Sequence, residues 1–236
     1  MRYVEGRWGR TWFYGKDEYV GRSLFHYGEY NPEETETIIG LAGGMTGNLV
    51  LDIGANFGVM GQALEASGYT VVSFEPQPDV YAVLCKNVTG ACINMGLADA
   101  PATLTMPKIL TGSRANYGGQ SIGTRSELGT IPVKVCTLDS LEFSNVGLMK
   151  IDVEGFEEKV LRGAVDTIAR CKPVMYIEDD RVSQSASLRS FIKSLGYTIT
   201  EHHPALYRPE NFFGLKRNIW DKNYVSHNLI CYYARD

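Results

Sequence analysis

The sequence predicts a doubly wound α/β fold, in which helices cover both faces of a mostly parallel sheet. From residue 48 onward, short continuous apolar runs alternate with amphipathic stretches. Strands that are buried on both faces have continuous apolar sequences, and parallel strands need long connections that are usually helical. With 236 residues and no internal repeat or linker, the chain is expected to form one domain.

Residues 1–47 are expected to form a cap segment that packs on a core domain of residues 48–236. The first thirty residues are rich in aromatic side chains and turn formers, which predicts short strands or a hairpin. Asn31 can cap a helix and Pro32 suits its first position, so a helix should begin there and end near Gly43.

The core domain is expected to alternate strands and helices. Strands are predicted at residues 49–53, 70–74, 91–97, 131–138, 147–152, 173–177 and 229–233. Helices are predicted from the glycine-rich turn to about residue 67, over 79–88, over 156–168 and over 188–195, the last ending at Gly196. Residues 107–130 are rich in Gly, Ser, Thr and Asn, and a polar loop of that length is usually mobile or functional.

Composition argues against several classes of protein. The net charge of −4 provides no basic footprint for a nucleic-acid partner. The five cysteines are odd in number and scattered, which predicts buried free thiols rather than disulfides or a zinc site. The N-terminus lacks the apolar core of a signal peptide, and no apolar run approaches the ~18 residues of a membrane helix. We therefore expect a cytoplasmic protein with no membrane partner, and a homo-oligomer is compatible with the sequence.

The segment Asp52-Ile-Gly54-Ala55-Asn56-Phe-Gly58 predicts a ligand site at a strand-to-helix turn. A dinucleotide would place its anionic pyrophosphate there, against glycines spaced G-x-G-x-x-G. Here Asn56 replaces the second glycine, and Asp52 would repel a pyrophosphate while attracting the ammonium group of a methionine moiety. The carboxylate of that moiety could bind backbone N–H groups of the turn. S-adenosylmethionine therefore fits this turn better than a dinucleotide.

Two acidic residues further along the chain are expected near the nucleoside. Glu75, followed by Pro76, ends the second strand, where a carboxylate can accept hydrogen bonds from both ribose hydroxyls. This feature indicates a ribose without distinguishing the two ligand classes. Asp99 follows the third strand and could either approach the adenine or form a turn.

The segment Lys150-Ile-Asp152-Val-Glu154-Gly155 places two acids at the end of a core strand. Asp152 and Glu154 alternate along an extended chain, so they should share a face. They could hold the sulphonium donor, order a divalent cation, remove a hydroxyl proton, or simply cap the next helix. The sequence contains no Asn/Asp-Pro-Pro-aromatic stretch here, which favours an oxygen acceptor over an exocyclic nitrogen.

An alcohol is a weak nucleophile at neutral pH, so a general base is expected. The candidates are the four histidines, of which His26 and His227 are favoured, and the carboxylate of Glu178 at the end of a later strand. In the polar loop, Asn116, Tyr117 and Ser121 could contact the acceptor or belong to a plain flexible loop.

Taken together, these motifs resemble the FkbM-type methyltransferases, in the same order along nearly the whole chain. The matching segments are residues 17–24, 27–30, 52–58, 74–78, 116–121, 137–139, 150–157, 160–164 and 226–231. The glycine turn is shared by many methyltransferases, whereas Lys-Ile-Asp-Val-Glu-Gly is more particular to this family. Residues 200–225 match no segment of it.

The resemblance implies a Rossmann-like class I methyltransferase fold whose last strand is antiparallel. It also implies S-adenosylmethionine as the methyl donor and O-methylation of a hydroxyl on a glycan or natural product. The sequence leaves a divalent metal open without indicating one. The alternatives are a nicotinamide-dependent oxidoreductase or sugar-nucleotide enzyme, a donor-binding module without turnover, and a nucleic-acid methyltransferase. The absence of a Tyr-x-x-x-Lys pair counts against the first, the acid pair against the second, and the acidic charge against the third.

Overall fold

The computed structural model describes residues 1–220 and 224–234. The end of the predicted core domain, residues 235 and 236, lies outside the described residues. The strands are β1 (Arg2–Gly6), β2 (Gly9–Phe13), β3 (Leu49–Ile53), β4 (Thr70–Phe74), β5 (Ala91–Ile93), β6 (Gly96–Leu97), β7 (Ala102–Pro107), β8 (Thr130–Cys136), β9 (Val146–Ile151), β10 (Val174–Glu178), β11 (Tyr197–His202) and β12 (Asn228–Tyr233). The α-helices are α1 (Val20–Tyr27), α2 (Pro32–Gly43), α3 (Val59–Ala66), α4 (Pro78–Asn87), α5 (Glu157–Arg162), α6 (Val165–Cys171) and α7 (Val182–Ser194).

A seven-stranded sheet with the order β11-β12-β10-β9-β3-β4-β5 forms the centre of the molecule. The five strands from β10 to β5 are parallel, and β12 is antiparallel to both β10 and β11. The doubly wound sheet and its antiparallel last strand are therefore confirmed. All six residues of β9 are buried, as expected for a strand with helices on both faces.

The small sheet β6-β8-β7 differs from the prediction in two ways. Residues 91–97 were expected to form one strand, but β5 joins the main sheet while β6 pairs with β8 in the small sheet. The predicted strand at 131–138 is β8, which pairs antiparallel with the unpredicted β7. Burial alternates along much of β8, because a strand of a sheet with one covered face needs apolar side chains only on that face.

The predicted helix over residues 156–168 is divided into α5 and α6. Its apolar side chains do lie in the core, but Gly163 interrupts the helix where the backbone approaches the small sheet. A Cβ atom at Gly163 would lie 2.0 Å from the carbonyl oxygen of Ala98. This close approach explains why helical periodicity alone predicted the wrong boundary. Strand β11 was also missed, because it follows directly on α7.

The cap segment contains the predicted hairpin, β1–β2, and the predicted helix, α2, together with the unpredicted α1. Asn87 fixes the hairpin to the core, because its side chain accepts the Trp12 N–H at 2.6 Å and donates to the Trp12 carbonyl at 2.8 Å. Asn31 does not cap α2 through its side chain; it has a left-handed backbone (φ 42°) and donates its amide to Glu34.

The connection between β11 and β12 returns across the molecule to pack on the cap. Arg22 of α1 donates to the carbonyl oxygen of Ile219 at 2.6 Å, and Tyr19 stacks on Trp220 with ring centroids 5.7 Å apart. Tyr27, Leu206, Ile219 and Trp220 form a buried cluster. The two ends of the described chain thus build one wall beside the carboxyl ends of the parallel strands.

The five cysteines are all free, as expected. The expectation that they are buried is wrong for four of them: Cys231 is buried, Cys85 is exposed, and the others are partly exposed. Within residues 1–220 and 224–234, we find no helix with the length and apolar character needed to span a membrane.

Candidate functional site

A cavity of about 480 Å³ lies at the carboxyl ends of β3, β4, β9 and β10. Its wall is formed by the turn after β3, the residues after β4, the loop after β9, the cap, and residues 225–227. Ligands of open α/β sheets bind at this edge, and the volume is that of a small-molecule site. The candidate site is thus where the sheet topology predicts it.

The backbone of the turn after β3 requires its glycines. Gly54 has a φ of +79°, and a Cβ atom there would lie 1.8 Å from the carbonyl oxygen of Asp152. Gly58 has a φ of +81°, and its Cβ would meet Leu84 at 2.6 Å. Side chains at these positions would therefore strain the backbone and separate β3 from its neighbours.

The N–H groups of this turn are already used within the protein. Those of Gly54 and Ala55 both donate to the Phe74 carbonyl, at 3.0 and 2.9 Å. The remaining donors are Asn56 N to Glu75 Oε2, Phe57 N to Asn56 Oδ1, and Gly58 N to the Ala55 carbonyl, at 2.8–3.0 Å. In this conformation these N–H groups are therefore not free for a ligand carboxylate, and a pyrophosphate would find no free donor among them either.

Asp52 lies behind the cavity rather than in its wall. Its side chain is 0% exposed, and its nearest cation is the Lys150 ammonium, 3.5 Å from Oδ1. Burial raises the pKa of Asp52, and Lys150 opposes that rise. The structure thus places Asp52 out of reach of a ligand's ammonium group, contrary to the role expected from sequence.

Lys150 connects Asp52 to the cavity. Its ammonium group lies 3.1 Å from the Gly54 carbonyl and 3.2 Å from Oδ2 of Asp152. Burial opposes the charge on Lys150, yet its acidic neighbours hold its pKa well above the ordinary value. Asp152 is 37% exposed, and it is the carboxylate of this group that faces the cavity.

Glu75 and Pro76 are in the cavity wall. The Glu75 side chain is held on both oxygens: Oε2 accepts the Asn56 N–H at 3.0 Å, and Oε1 accepts the Gln77 N–H at 2.8 Å. Burial raises the pKa of Glu75 to about 7. Each oxygen retains a lone pair, which is what two adjacent hydroxyl donors would require.

Asp99 is not brought to the site. It is exposed beyond β6 and does not belong to the cavity wall. Instead, Gly96 and Leu97 from β6 and Met106 from β7 line that part of the cavity. An apolar surface of this kind suits a flat aromatic ring.

Asp152, Glu154 and Glu178 form an acidic cluster at one end of the cavity, with carboxylate oxygens within 4.8 Å of one another. Glu154 has a left-handed backbone (φ 56°) and forms an ion pair with Arg181. Burial raises the pKa of Glu154 to about 7 and that of Glu178 well above its usual range. Oε2 of Glu178 is buried without a hydrogen-bond partner among the described residues. Oxygen ligands spaced in this way could hold a hard divalent cation.

The two favoured histidines differ in their position relative to the cavity. His227 lines the cavity, and its Nδ1 lies 3.2 Å from Nδ1 of His203. His26 lies on α1 outside the cavity wall and packs edge-on against Phe25.

The three loop residues also have different positions. Asn116 and Tyr117 line the cavity, but the buried Tyr117 hydroxyl donates to the Ser113 carbonyl, and the Tyr117 N–H donates to Asp17. Ser121 lies outside this cavity and donates to the Glu154 carbonyl at 2.6 Å. Asp17 thus attaches the loop to the cap, and Ser121 supports the acidic cluster.

Sequence analysis missed the contribution of the cap to the site. Tyr30, Asn31 and Glu34 line the cavity, and burial raises the pKa of Glu34 to about 8. The Asn31 Oδ1 atom is buried with no hydrogen-bond partner in the described residues. The available signal was the run Asn31-Pro32-Glu33-Glu34, which indicated only a helix start because nothing local shows that it faces a distant strand.

Comparison with known structures supports this description of the fold. The chain is similar to the methyltransferase FkbM from Methylobacillus flagellatus KT, with 16% identity and a TM-score of 0.52 over 91% of this chain and 55% of that one. It is also similar to the magnesium protoporphyrin IX methyltransferase (ChlM) from Synechocystis PCC 6803, solved with bound SAM, with 11% identity and a TM-score of 0.51 over 92% and 85%. This chain thus spans little more than half of the first of these proteins.

Two further comparisons concern sequence. No curated protein matches the chain. The model of the methyltransferase FkbM domain matches residues 52–199, which is well over half of the chain and includes the glycine turn, Glu75 and the acidic cluster. The chain therefore belongs to the FkbM methyltransferase family.

Proposed function

We propose that this protein transfers a methyl group from S-adenosylmethionine to a hydroxyl oxygen of a sugar, a glycan or a natural-product-like small molecule. The observation that carries the proposal is the pairing of a ribose-type carboxylate, Glu75, with a glycine turn whose N–H groups are all occupied. Such a site suits a nucleoside without phosphates. The similar fold of a methyltransferase solved with SAM bound supports the same donor.

The donor would lie along the cavity from β6 to β9. Glu75 accepts the two ribose hydroxyls, and the adenine lies between Pro76 and the apolar residues Gly96, Leu97 and Met106. The methionine ammonium group faces the half-exposed Asp152 rather than the buried Asp52. Gly54, Ala55 and Asn56 shape the floor beneath the ribose and sulphur without donating to them, and Gly58, which is not part of the cavity wall, supports the turn where it packs on Leu84.

Charge complementarity favours a cationic donor. Glu34, Asp152, Glu154 and Glu178 line the cavity, whereas the cations in its wall are Lys150 and Arg181, each already paired with an acid. S-adenosylmethionine carries a sulphonium and an ammonium against one carboxylate. Glu34 and Glu178 carry little charge at neutral pH because burial raises their pKa values, so the attraction rests mainly on Asp152, which faces the cavity and favours a cationic ligand over an anionic dinucleotide.

The acceptor would occupy the end formed by Glu154, Glu178, Asn116, Tyr30 and His227. Unpaired Oε2 of Glu178 accepts a hydrogen bond from a hydroxyl of the acceptor. The reacting oxygen forms a bond to the methyl carbon, the carbon–sulphur bond breaks with its electron pair on sulphur, and the hydroxyl proton passes to His227. Glu154 is less suited to take this proton because its carboxylate is already paired with Arg181. No step requires a metal, and the proposed location is the cytoplasm.

Calorimetric titrations with S-adenosylmethionine, S-adenosylhomocysteine and NAD test the donor. We expect both sulphur ligands to bind and NAD not to bind; NAD binding without donor binding would support the oxidoreductase alternative and end the proposal. The acceptor is then sought by mass spectrometry, as the mass gain of one methyl group on glycans and hydroxylated metabolites. Methylation confined to nitrogen or carbon would refute O-methylation.

A further inference from the structure

His203 and His227 face each other at the rim of the cavity because of the register of β11 and β12. His202 pairs with Asn228 in the antiparallel ladder, so the residues just beyond this pair are again opposite one another. Their rings are 4.9 Å apart at 68°, with an Nδ1–Nδ1 distance of 3.2 Å. On the far side of His203, Nε2 lies 3.3 Å from Oε2 of Glu201.

The order of these contacts determines which nitrogen carries each proton. An ionised carboxylate only accepts, so Nε2 of His203 must donate to Glu201. In neutral His203, Nδ1 is then an acceptor, and the contact between the two Nδ1 atoms requires a proton on Nδ1 of His227. The remaining nitrogen of His227, Nε2, is left with a free lone pair. Because the ring lines the cavity, this nitrogen is available as a base.

A second set of contacts holds Glu201, which is at the far end of this series of hydrogen bonds from His227. Arg189 binds Glu201 and also donates to Oδ2 of Asp179 at 2.7 Å. The Asp179 N–H in turn donates to the backbone carbonyl of His227 at 2.8 Å. The hydrogen bond from Arg189 is the main cause that lowers the pKa of Glu201, so this carboxylate stays ionised. The contacts therefore form a closed ring, which begins at the His227 side chain and returns to the His227 backbone.

We propose that Glu201 and His203 are positioning residues, which hold His227 in the Nδ1–H tautomer and so present Nε2 as the proton acceptor. This inference rests on the proposed methyl transfer for its purpose, but the tautomer itself is a property of the free protein. Glu201 and His203 do not touch the acceptor; they act through His227. The arrangement extends the site into residues 200–225, the stretch in which the sequence shows no resemblance to the family.

Long-range ¹H–¹⁵N correlation spectra of the uniformly ¹⁵N-labelled full chain, at pH 8, report the tautomer of each histidine. The His227 signals are assigned by their loss in His227→Gln. We expect His227 to be in the Nδ1–H form and His203 in the Nε2–H form. Free neutral histidine prefers Nε2–H, so Nδ1–H at His227 is diagnostic, and finding His227 in the Nε2–H form overturns the proposal.

Two variants of His203 test the coupling. His203→Ala removes the acceptor for His227 Nδ1–H, so the spectrum should return to the Nε2–H form and turnover should fall at least tenfold. His203→Asn keeps an acceptor oxygen at the δ position and should restore much of the Nδ1–H form and of the turnover. Unchanged tautomer populations in His203→Ala would refute the coupling.

Kinetic parameters separate positioning from a general structural role. In His203→Ala and Glu201→Gln we expect kcat to fall while the KM for the acceptor and the Kd for S-adenosylmethionine stay unchanged. Weaker binding of the acceptor or of S-adenosylmethionine with an unchanged kcat would show that the residues only support the cavity wall. Failure of the proposed function would appear separately, as absent donor binding in the wild-type protein with its histidine tautomers intact.

Discussion

The two ends of the cavity are built in different ways. The donor end uses short local segments, namely residues 52–58, 74–77 and 150–152, at the ends of three adjacent parallel strands. The acceptor end combines parts of the cap, the loops after β9 and β10, and residues near 203 and 227, which are far apart in sequence. The first is therefore fixed by sheet topology, whereas the second depends on how distant segments pack.

The two ends also differ in charge balance. At the donor end, Lys150 lies between Asp52 and Asp152, and Glu75 is held by two backbone N–H groups. At the acceptor end, Oε2 of Glu178 has no hydrogen-bond partner among the described residues, and the buried Glu34 accepts a hydrogen bond from the Asn31 amide. In the cavity wall, the donor-end carboxylates of Glu75 and Asp152 thus already have partners, whereas at the acceptor end a ligand can supply a partner to Glu178.

The largest effect is expected from removing the positive charge of Lys150 at the donor end. Lys150→Met leaves Asp52 and Asp152 without their cation, and removing one partner of a buried ion pair costs about 3–5 kcal/mol. We expect the free energy of unfolding in urea to fall by this amount and donor binding to be lost.

Lys134→Met is the matched control, because Lys134 is an exposed residue of β8. Its change should stay below about 1 kcal/mol, since exposed charges contribute little. Equal losses in the two variants would mean that Lys150 does not hold the donor end together.

Glu75→Ala should weaken S-adenosylmethionine binding more than tenfold, because it removes two charged hydrogen-bond acceptors worth about 1.5–3 kcal/mol. Glu178→Gln, at the other end of the same cavity, should leave the donor Kd within threefold of the wild-type value. Calorimetry on both variants measures the contrast. If Glu178→Gln weakens S-adenosylmethionine binding as much as Glu75→Ala does, the division of the cavity into two ends is wrong.

The same contrast explains how much could be predicted from sequence. Apolar strand runs and the glycine turn predicted the parallel part of the sheet and the location of Glu75, because these depend on local periodicity and on the edge where parallel strands end. The antiparallel direction of the last strand was implied only by the resemblance to the family. The placement of Asp52 could not be predicted, since a strand residue just before the turn can face either the ligand or the core. Its partner Lys150 comes from another strand, so only the pairing of β3 with β9 shows that the charge is satisfied.

The acceptor end was predicted less well for a physical reason. Glu34 lies in the first turn of α2, where an acid is adequately explained by the helix dipole. Its burial against the cavity arises from packing between the cap and the sheet, which leaves no periodic signal. The Glu201–His203–His227 contacts likewise depend on the register of β11 with β12, and β11 itself was not predicted.

A pH titration of stability tests the surplus of acids at the acceptor end. The pKa of Glu34 is about 8 in the folded protein, chiefly because of burial, and close to 4.5 in the unfolded chain. The folded state therefore holds a proton that the unfolded state has released between these values, so stability should rise as the pH falls from 8 to 6. We expect on the order of 1–2 kcal/mol from Glu34.

The difference between wild type and Glu34→Gln isolates this contribution, because His26 and His202, whose pKa values are lowered chiefly by burial, act in the opposite direction and remain in both proteins. The measurement is the urea unfolding free energy of each protein at pH 6, 7 and 8. The gain in unfolding free energy between pH 8 and pH 6 should be smaller in Glu34→Gln than in the wild type. If the unfolding free energy changes equally with pH in both proteins, Glu34 is ionised like an ordinary surface acid.

The smallest effect on turnover is expected for substitution of His26. Comparing it with the substitution of His227 tests which of the two histidines is the general base. Because His26 lies outside the cavity wall, His26→Ala should keep turnover within threefold of the wild-type value. His227→Ala should lower kcat by about 10²–10⁴, the usual contribution of a general base, with an unchanged Kd for S-adenosylmethionine. Both rates are measured with the acceptor found by mass spectrometry, over pH 5.5–9. If His26→Ala loses turnover and His227→Ala does not, the reacting hydroxyl lies on the cap side of the molecule rather than beside β12.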